Sequence, residues 1–202
     1  MSQILLYEPR VLLRSLVQHL IDGKSRPLWP HQISTSYITD IRSSANKSMC
    51  VLVGVGGVGQ NFAELLRLFR HLKMMKVKTV AWVPADYLYL TKLLRAVGVN
   101  EVLTEENLTN ELTATLQKMA APWDAAIKRR RVPDISQTEL DILLLFSAGL
   151  SAKDISVHRG CCYKTVFSWK HNICMSLDIK TPDQWLTVLA EIAQISTLYQ
   201  QR

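Results

Sequence analysis

The sequence has few cysteines and no long apolar run, and each shortage excludes a class of protein. The four cysteines lack the paired spacing that a zinc site needs, and adjacent Cys161 and Cys162 are geometrically poor disulfide partners. No window approaches the roughly 18 consecutive apolar residues that a membrane span requires, and the start MSQILLYEPR lacks the pattern of a secretory signal. We therefore expect a cytoplasmic protein with no metal site, no disulfide framework and no membrane partner.

Internal repeats and low-complexity tracts are also missing, so neither a solenoid nor a disordered interaction tail is expected. The 202 residues, of which 48% are hydrophobic and 20% charged, suffice for two modest globular cores. A net charge of +7 favours an anionic partner such as nucleic acid without identifying it. Residues 128–131 concentrate this charge, and such a run equally suits a solvated linker.

The first part of the chain alternates short apolar strands with amphipathic stretches, which is typical of a parallel sheet covered by helices. Strands are predicted at residues 3–7, 49–55, 79–83 and 99–103, and helices at 11–21, 61–71, 87–97 and 107–119. The basic run and Pro133 follow the last of these helices. We therefore expect an α/β domain over residues 1–120, a linker over 121–134 and a second domain over 135–202.

The second domain is predicted to be helical. Ser136 with Glu139, and Ser151 with Asp154, have the spacing of helix-initiating capping boxes. Gly149, between the two, suits the left-handed position that ends a helix. A turn is expected at residues 160–162, followed by a third helix over 163–176.

This third helix has two different faces when its residues are sorted by 100° steps. The apolar face contains Val166, Trp169, Ile173 and Leu177. The opposite face contains Lys164, Ser168, His171 and Met175. A helix that enters the major groove of DNA needs small, polar or cationic groups of this kind, although any exposed face of a small helical bundle looks similar.

From residue 135 to 177 the chain resembles the LuxR/FixJ-type helix-turn-helix over its whole length. The residues in that family's register are Glu139, Leu143, Ala148, Gly149, Leu150, Ser151, Lys153, Ile155, Thr165, Val166, Asn172, Ile173 and Leu177. The resemblance implies four helices, with the third in the major groove and a fourth, over 182–195, that often mediates dimer contacts. It also implies a transcription regulator that binds double-stranded DNA and is not an enzyme.

The DNA contacts implied by the resemblance can be placed on this sequence. The predicted DNA-binding residues are Lys153, Lys164, Thr165, Phe167, Ser168, Lys170 and His171. Two positions depart from the family, because Phe167 stands where lysine is usual and Trp169 where histidine is usual. An exposed Phe167 would either contact a thymine methyl group or pack against Tyr163 or the preceding turn.

In this family a receiver domain often precedes the helix-turn-helix, and residues 4–8 and 94–99 are similar to receiver segments. Receiver phosphorylation needs an acidic pair after the first strand, an aspartate ending the third strand and a lysine ending the last. Those places read Glu8 with Pro9, Gly54 and Thr104. We therefore expect a flavodoxin-like pseudo-receiver without a cofactor, without magnesium and without an aspartyl phosphate.

Other functions remain open at this stage. The run from Gly54 to Gly59 matches GxGxxG after a strand, so one alternative is a ligand-responsive regulator that uses this loop. Nucleotide binding is disfavoured because residues 72–84 contain no acidic residue for a ribose. A second alternative is a protein-binding antagonist with weak DNA binding. The leading hypothesis is an activator that acts as a homodimer or with a partner response regulator. The second form is implied by the resemblance to the Rcs-type auxiliary activators, which pair with a phosphorylatable response regulator.

Overall fold

The computed structural model describes residues 3–25, 31–35, 37–45, 49–84, 87–120 and 134–197. Five parallel strands form one sheet in the order β2-β1-β3-β4-β5. Their bounds are β1 Gln3–Tyr7, β2 His31–Thr35, β3 Met49–Gly54, β4 Lys78–Val83 and β5 Glu101–Thr104. The helices around the sheet are α1 Val11–Leu20, α2 Ile38–Ser44, α3 Phe62–Met74, α4 Leu88–Val97 and α5 Leu108–Ala120.

The sheet is buried on both faces, which explains the continuous apolar runs of its central strands. On one face, alternate residues such as Leu5 and Val51 pack with the apolar sides of α2, α3 and α4. On the other face, Leu6, Leu52 and Trp82 pack with α1 and α5. Strand order and two helical layers together define a flavodoxin-like α/β domain, as predicted.

The strand β2 and the helix α2 of this domain were not predicted from the sequence. The edge strand β2, of sequence HQIST, pairs with β1 on one side only. Its side chains at Ile33 and Ser34 are exposed, so it carries little of the apolar signal that predicts a strand. Helix α2 has seven residues, which is too short for a 3.6-residue period to be recognised.

The second described part, residues 134–197, is entirely helical, as predicted. Its helices are α6 Gln137–Ser147, α7 Ala152–Arg159, α8 Tyr163–Ser176 and α9 Pro182–Thr197. Both expected capping boxes form, with Ser136 and Glu139 starting α6 and Ser151 and Asp154 starting α7. Gly149, just after α6, has the predicted positive φ, here 88°. The fold class predicted from the sequence is confirmed.

The helical part packs against the α/β part. Beyond a shared apolar cluster, the buried carboxylate of Glu191 in α9 accepts a hydrogen bond of 2.6 Å from the backbone N–H of Leu90 in α4. Four ion pairs join cations of α3 and α4 to aspartates of the helical part: Arg67–Asp141, Arg70–Asp134, Lys73–Asp134 and Lys92–Asp178. Apart from Asp134, the predicted linker over 121–134 lies outside the described residues, and so do the basic residues 128–131.

Within the residues that the structure describes, no helix combines the length and the apolar character that crossing a bilayer requires.

Candidate nucleic-acid interface

Helix α8 is held in place by its apolar face. Val166 and Ile173 are fully buried, and the helix packs against α6 and α7. The Asn172 side chain of α8 lies close enough to the Glu139 carboxyl group that caps α6 to help lower its pKa, against the effect of partial burial. The exposed face of α8 is therefore presented on a fixed support.

Four of the predicted DNA-binding residues lie together on this exposed face. Lys164, Phe167, Ser168 and His171 are all exposed, and their spacing of three and four residues makes them neighbours on one side of the helix. The Ser168 hydroxyl donates a hydrogen bond of 3.2 Å to the backbone carbonyl of Lys164, and its oxygen lone pairs stay available as acceptors. The cluster therefore offers an ammonium, an imidazole, a hydroxyl and an aromatic ring to a ligand.

The other three predicted residues lie outside this cluster. Thr165 is half-buried beside the face, and Lys153 is exposed at the start of α7. The Lys170 ammonium lies 4.8 Å from the centre of the Trp185 ring and 5.9 Å from that of Phe146, so its position is set by aromatic contacts. Their proposed roles in DNA binding stay predictions.

Sequence reasoning assigned no DNA-facing role to Tyr163. The structure places this first residue of α8 next to Phe167, with the two ring centres 4.7 Å apart and the rings inclined at 64°. Both side chains stay about half exposed, at 50% and 45%. The available signal was the spacing of four residues between two aromatics on a helix.

A second polar site lies at the carboxyl ends of the strands, where a receiver would be phosphorylated. Glu8, which follows β1, is completely buried. Its carboxylate accepts hydrogen bonds from the Trp82 indole N–H at 2.8 Å, and from the Nε–H and backbone N–H of Arg10 at 2.8 and 3.0 Å. The carboxylate is thus fully engaged by the protein's own donors.

Arg10 connects this carboxylate to the far edge of the site. Its guanidinium also donates to both oxygens of Glu105, just after β5, at 2.7 and 2.9 Å. Burial by itself would lower the pKa of Arg10, but the hydrogen bonds and negative charges of Glu8 and Glu105 raise it above its usual value. The arginine is therefore a permanent cation between two carboxylates.

The glycines that follow β3 make room for this network. A Cβ atom at Gly54 would overlap the Glu8 carboxylate, and one at Gly56 would lie 2.8 Å from the guanidinium carbon of Arg10. The loop thus lies against the protein's own side chains at the place where the GxGxxG pattern suggested a ligand. Among the described residues, no group of three or more His, Cys, Asp and Glu side chains is arranged to hold a metal ion.

A receiver-like sheet joined to four helices of this order is the architecture of two-domain response regulators. The chain is similar to the two-component response regulator RcsB in an RcsB–DNA complex, with 13% identity, a TM-score of 0.55, and coverage of 93% of this chain and 98% of that chain. It is also similar to RcsB in a structure of two dimers bound to two parallel DNAs, with 12% identity, a TM-score of 0.53, and coverage of 94% and 98%. RcsB of Salmonella typhimurium matches with 12% identity, a TM-score of 0.50, and coverage of 94% and 100%.

No protein-family model matches the sequence, and no curated protein matches it either. At such low identities the structural likeness concerns the fold. At that level it confirms the predicted resemblance to Rcs-type regulators over nearly the whole chain.

Proposed function

We propose that this protein is a sequence-specific DNA-binding regulator of transcription, located in the cytoplasm with its DNA. The observation that carries the proposal is the exposed face of α8, where Lys164, Ser168 and His171 stand together on a helix fixed by a buried apolar side. Such groups hydrogen-bond base edges and phosphates in the major groove. The fold shared with RcsB, which has been solved in complex with DNA, supports the same function.

The regulator acts without aspartyl phosphorylation. Gly54 stands at the position of the phosphate-accepting aspartate, and the Glu8 carboxylate fills the space that its side chain would need. A receiver uses Mg²⁺ and a lysine to balance the charge of the phosphoryl group, whereas here the single positive charge of Arg10 is already paired with both Glu8 and Glu105. Incubation with acetyl phosphate and Mg²⁺ should therefore add no phosphoryl group to the mass of the protein.

The protein acts as an activator, either as a homodimer or with a partner response regulator. Its DNA-contacting helix carries few cations, so one copy alone should bind weakly, and a second DNA-binding module would raise the affinity. The mass of the purified protein in solution detects a homodimer, and co-purification with candidate response regulators detects the mixed complex.

The test of DNA binding begins with selection of duplexes from random sequence by the full-length protein. Lys164→Ala and His171→Ala should each weaken binding to the selected duplex and leave the melting temperature unchanged, because both side chains are exposed. Lys118→Ala, which removes a cation from α5, is the matched control and should bind normally. Unchanged affinity in both α8 variants, or failure to select any sequence both by the protein alone and by the protein with a co-purified response regulator, would contradict the proposal.

A further inference from the structure

The first half of α8 exposes more apolar surface than a folded helix needs. Tyr163 and Phe167 are 50% and 45% exposed, and the core on this helix is already supplied by Val166 and Ile173. The two rings contact each other edge to face, in an arrangement that favours aromatic pairs. Tyr163 therefore restricts the positions open to the Phe167 ring while leaving one side of it free for a ligand.

The charge around these rings indicates what the ligand is. Lys164 and His171 lie on the same exposed face as Phe167, and the 14 residues of α8 include no aspartate or glutamate. An apolar ring beside an ammonium and an imidazole, on a helix without acidic residues, suits an anionic surface that also presents small apolar groups. The major groove of DNA is such a surface, because phosphates line it and each thymine presents one methyl group.

We propose that Phe167, positioned by Tyr163, contacts the methyl group of a thymine and makes this protein prefer thymine at one position of its binding site. The inference rests on the proposed function, since it names the base that one residue of the DNA-binding face reads. It is compatible with both interpretations of Phe167 left open by the sequence, because the ring packs against Tyr163 and stays exposed at the same time.

The test replaces thymine by deoxyuridine, which lacks only the methyl group, one position at a time in a duplex selected by the full-length protein. Burial of one methyl-sized group corresponds to about a fourfold change in affinity, so one position should show a loss of about fourfold. Phe167→Ala should bind thymine and deoxyuridine duplexes equally. Tyr163→Phe should keep the preference, whereas Tyr163→Ala should reduce it.

Two controls separate a methyl contact from a general loss of binding. Val157→Ala removes another exposed apolar side chain of the same domain and should keep the full thymine preference. Lys164→Ala should weaken binding to the thymine and deoxyuridine duplexes alike. It should also reduce the slope of log affinity against log salt concentration by about one, whereas Phe167→Ala should leave that slope unchanged. If Phe167→Ala does not fold, Phe167→Leu replaces it and should reduce the preference.

Several results would overturn the inference. A thymine preference that persists in Phe167→Ala would show that another residue reads the methyl group, and the absence of any deoxyuridine effect would remove the contact altogether. Loss of binding to a protein partner in Phe167→Ala, with DNA recognition intact, would assign the ring to a protein interface. Failure to select any duplex, both by the protein alone and with a co-purified response regulator, would refute DNA binding itself, whereas selection of a duplex without methyl dependence refutes only the role of Phe167.

Discussion

Replacing Arg10 by methionine is the sharpest test of the network at the carboxyl ends of the strands. Methionine keeps an unbranched apolar stem and removes the guanidinium. Glu8, which is completely buried, then keeps only the Trp82 indole N–H and the backbone N–H of residue 10 as donors. The loss of Arg10 costs less free energy at Glu105, because 22% of the Glu105 side chain is exposed and water can replace the guanidinium there.

The expected cost follows from leaving a buried charge without its counter-ion. Removing one partner of a fully buried ion pair costs about 3–5 kcal/mol. The Arg10 side chain is 26% exposed, so solvent screens part of the interaction and the lower end of that range applies, about 3 kcal/mol. For a chain of this length such a loss lowers the melting temperature by about 6–12 °C.

Urea unfolding followed by circular dichroism measures this cost. Glu105→Gln is the matched control, because it leaves the Glu8–Arg10 pair intact and should cost less than about 1 kcal/mol. The double variant Glu8→Gln with Arg10→Met should be more stable than Arg10→Met alone, because it no longer buries the negative charge of Glu8. If Arg10→Met is as stable as the wild type, or if the double variant is the least stable of all, the charge argument is wrong.

Three further predictions concern the helical part. The hydrogen bonds that Asp154 accepts from its capping serine lower its pKa in the folded state. Asp154→Asn should therefore be less stable than the wild type above the unfolded-state pKa of about 3.9, and the difference should disappear as the pH falls through the lower folded-state value. Urea titrations at several pH values measure this difference. In Glu191→Gln the Leu90 amide loses a hydrogen bond to a charged carboxylate and should exchange its hydrogen at least about tenfold faster, as amide-exchange mass spectrometry would detect. Gly149→Ala should lower the free energy of unfolding by about 1 kcal/mol because φ is 88° there, whereas Gly23→Ala, equally uncrowded and without a positive φ, should have little effect.

The central sheet and the helical domain were predictable because their signals are local. Buried strands such as β3 are continuous apolar runs, and the capping boxes at Ser136 and Ser151 are read from four consecutive residues. The edge strand β2 could not be found in the same way, since half of its surroundings is solvent and its residues are correspondingly polar. A strand of this kind is defined by its pairing with β1, which is a tertiary property.

The α8 face was predictable in part, and the polar network was not. The 100° sorting of residues 163–176 placed Lys164, Ser168 and His171 correctly on the exposed face, but it did not include Phe167 there. It also does not report that Lys170 lies over the Trp185 ring of α9. Arg10 and Glu105 are 95 residues apart in the chain, so no spacing rule connects them. The sequence predicts that Gly54 and Thr104 stand where a receiver has its aspartate and lysine, whereas only the structure reveals that the Glu8 carboxylate lies against Gly54.

The network of Glu8, Arg10 and Glu105 at the carboxyl ends of the strands has a consequence for regulation under the proposed function. A phosphorylated receiver switches because its pocket gains a phosphoryl group. Here the Arg10 cation and the carboxylates of Glu8 and Glu105 belong to the chain itself, and an arginine stays charged at every pH of interest. The glycine loop over this network continues into the short helical turn Gly59–Asn61, which packs against α9. Because Gly54 and Gly56 lie directly against Glu8 and Arg10, the proposed function places the control of DNA binding at molecules that bind outside this network. A second DNA-binding subunit is the regulator that fits this requirement, and its concentration then takes the place of phosphorylation as the controlling variable.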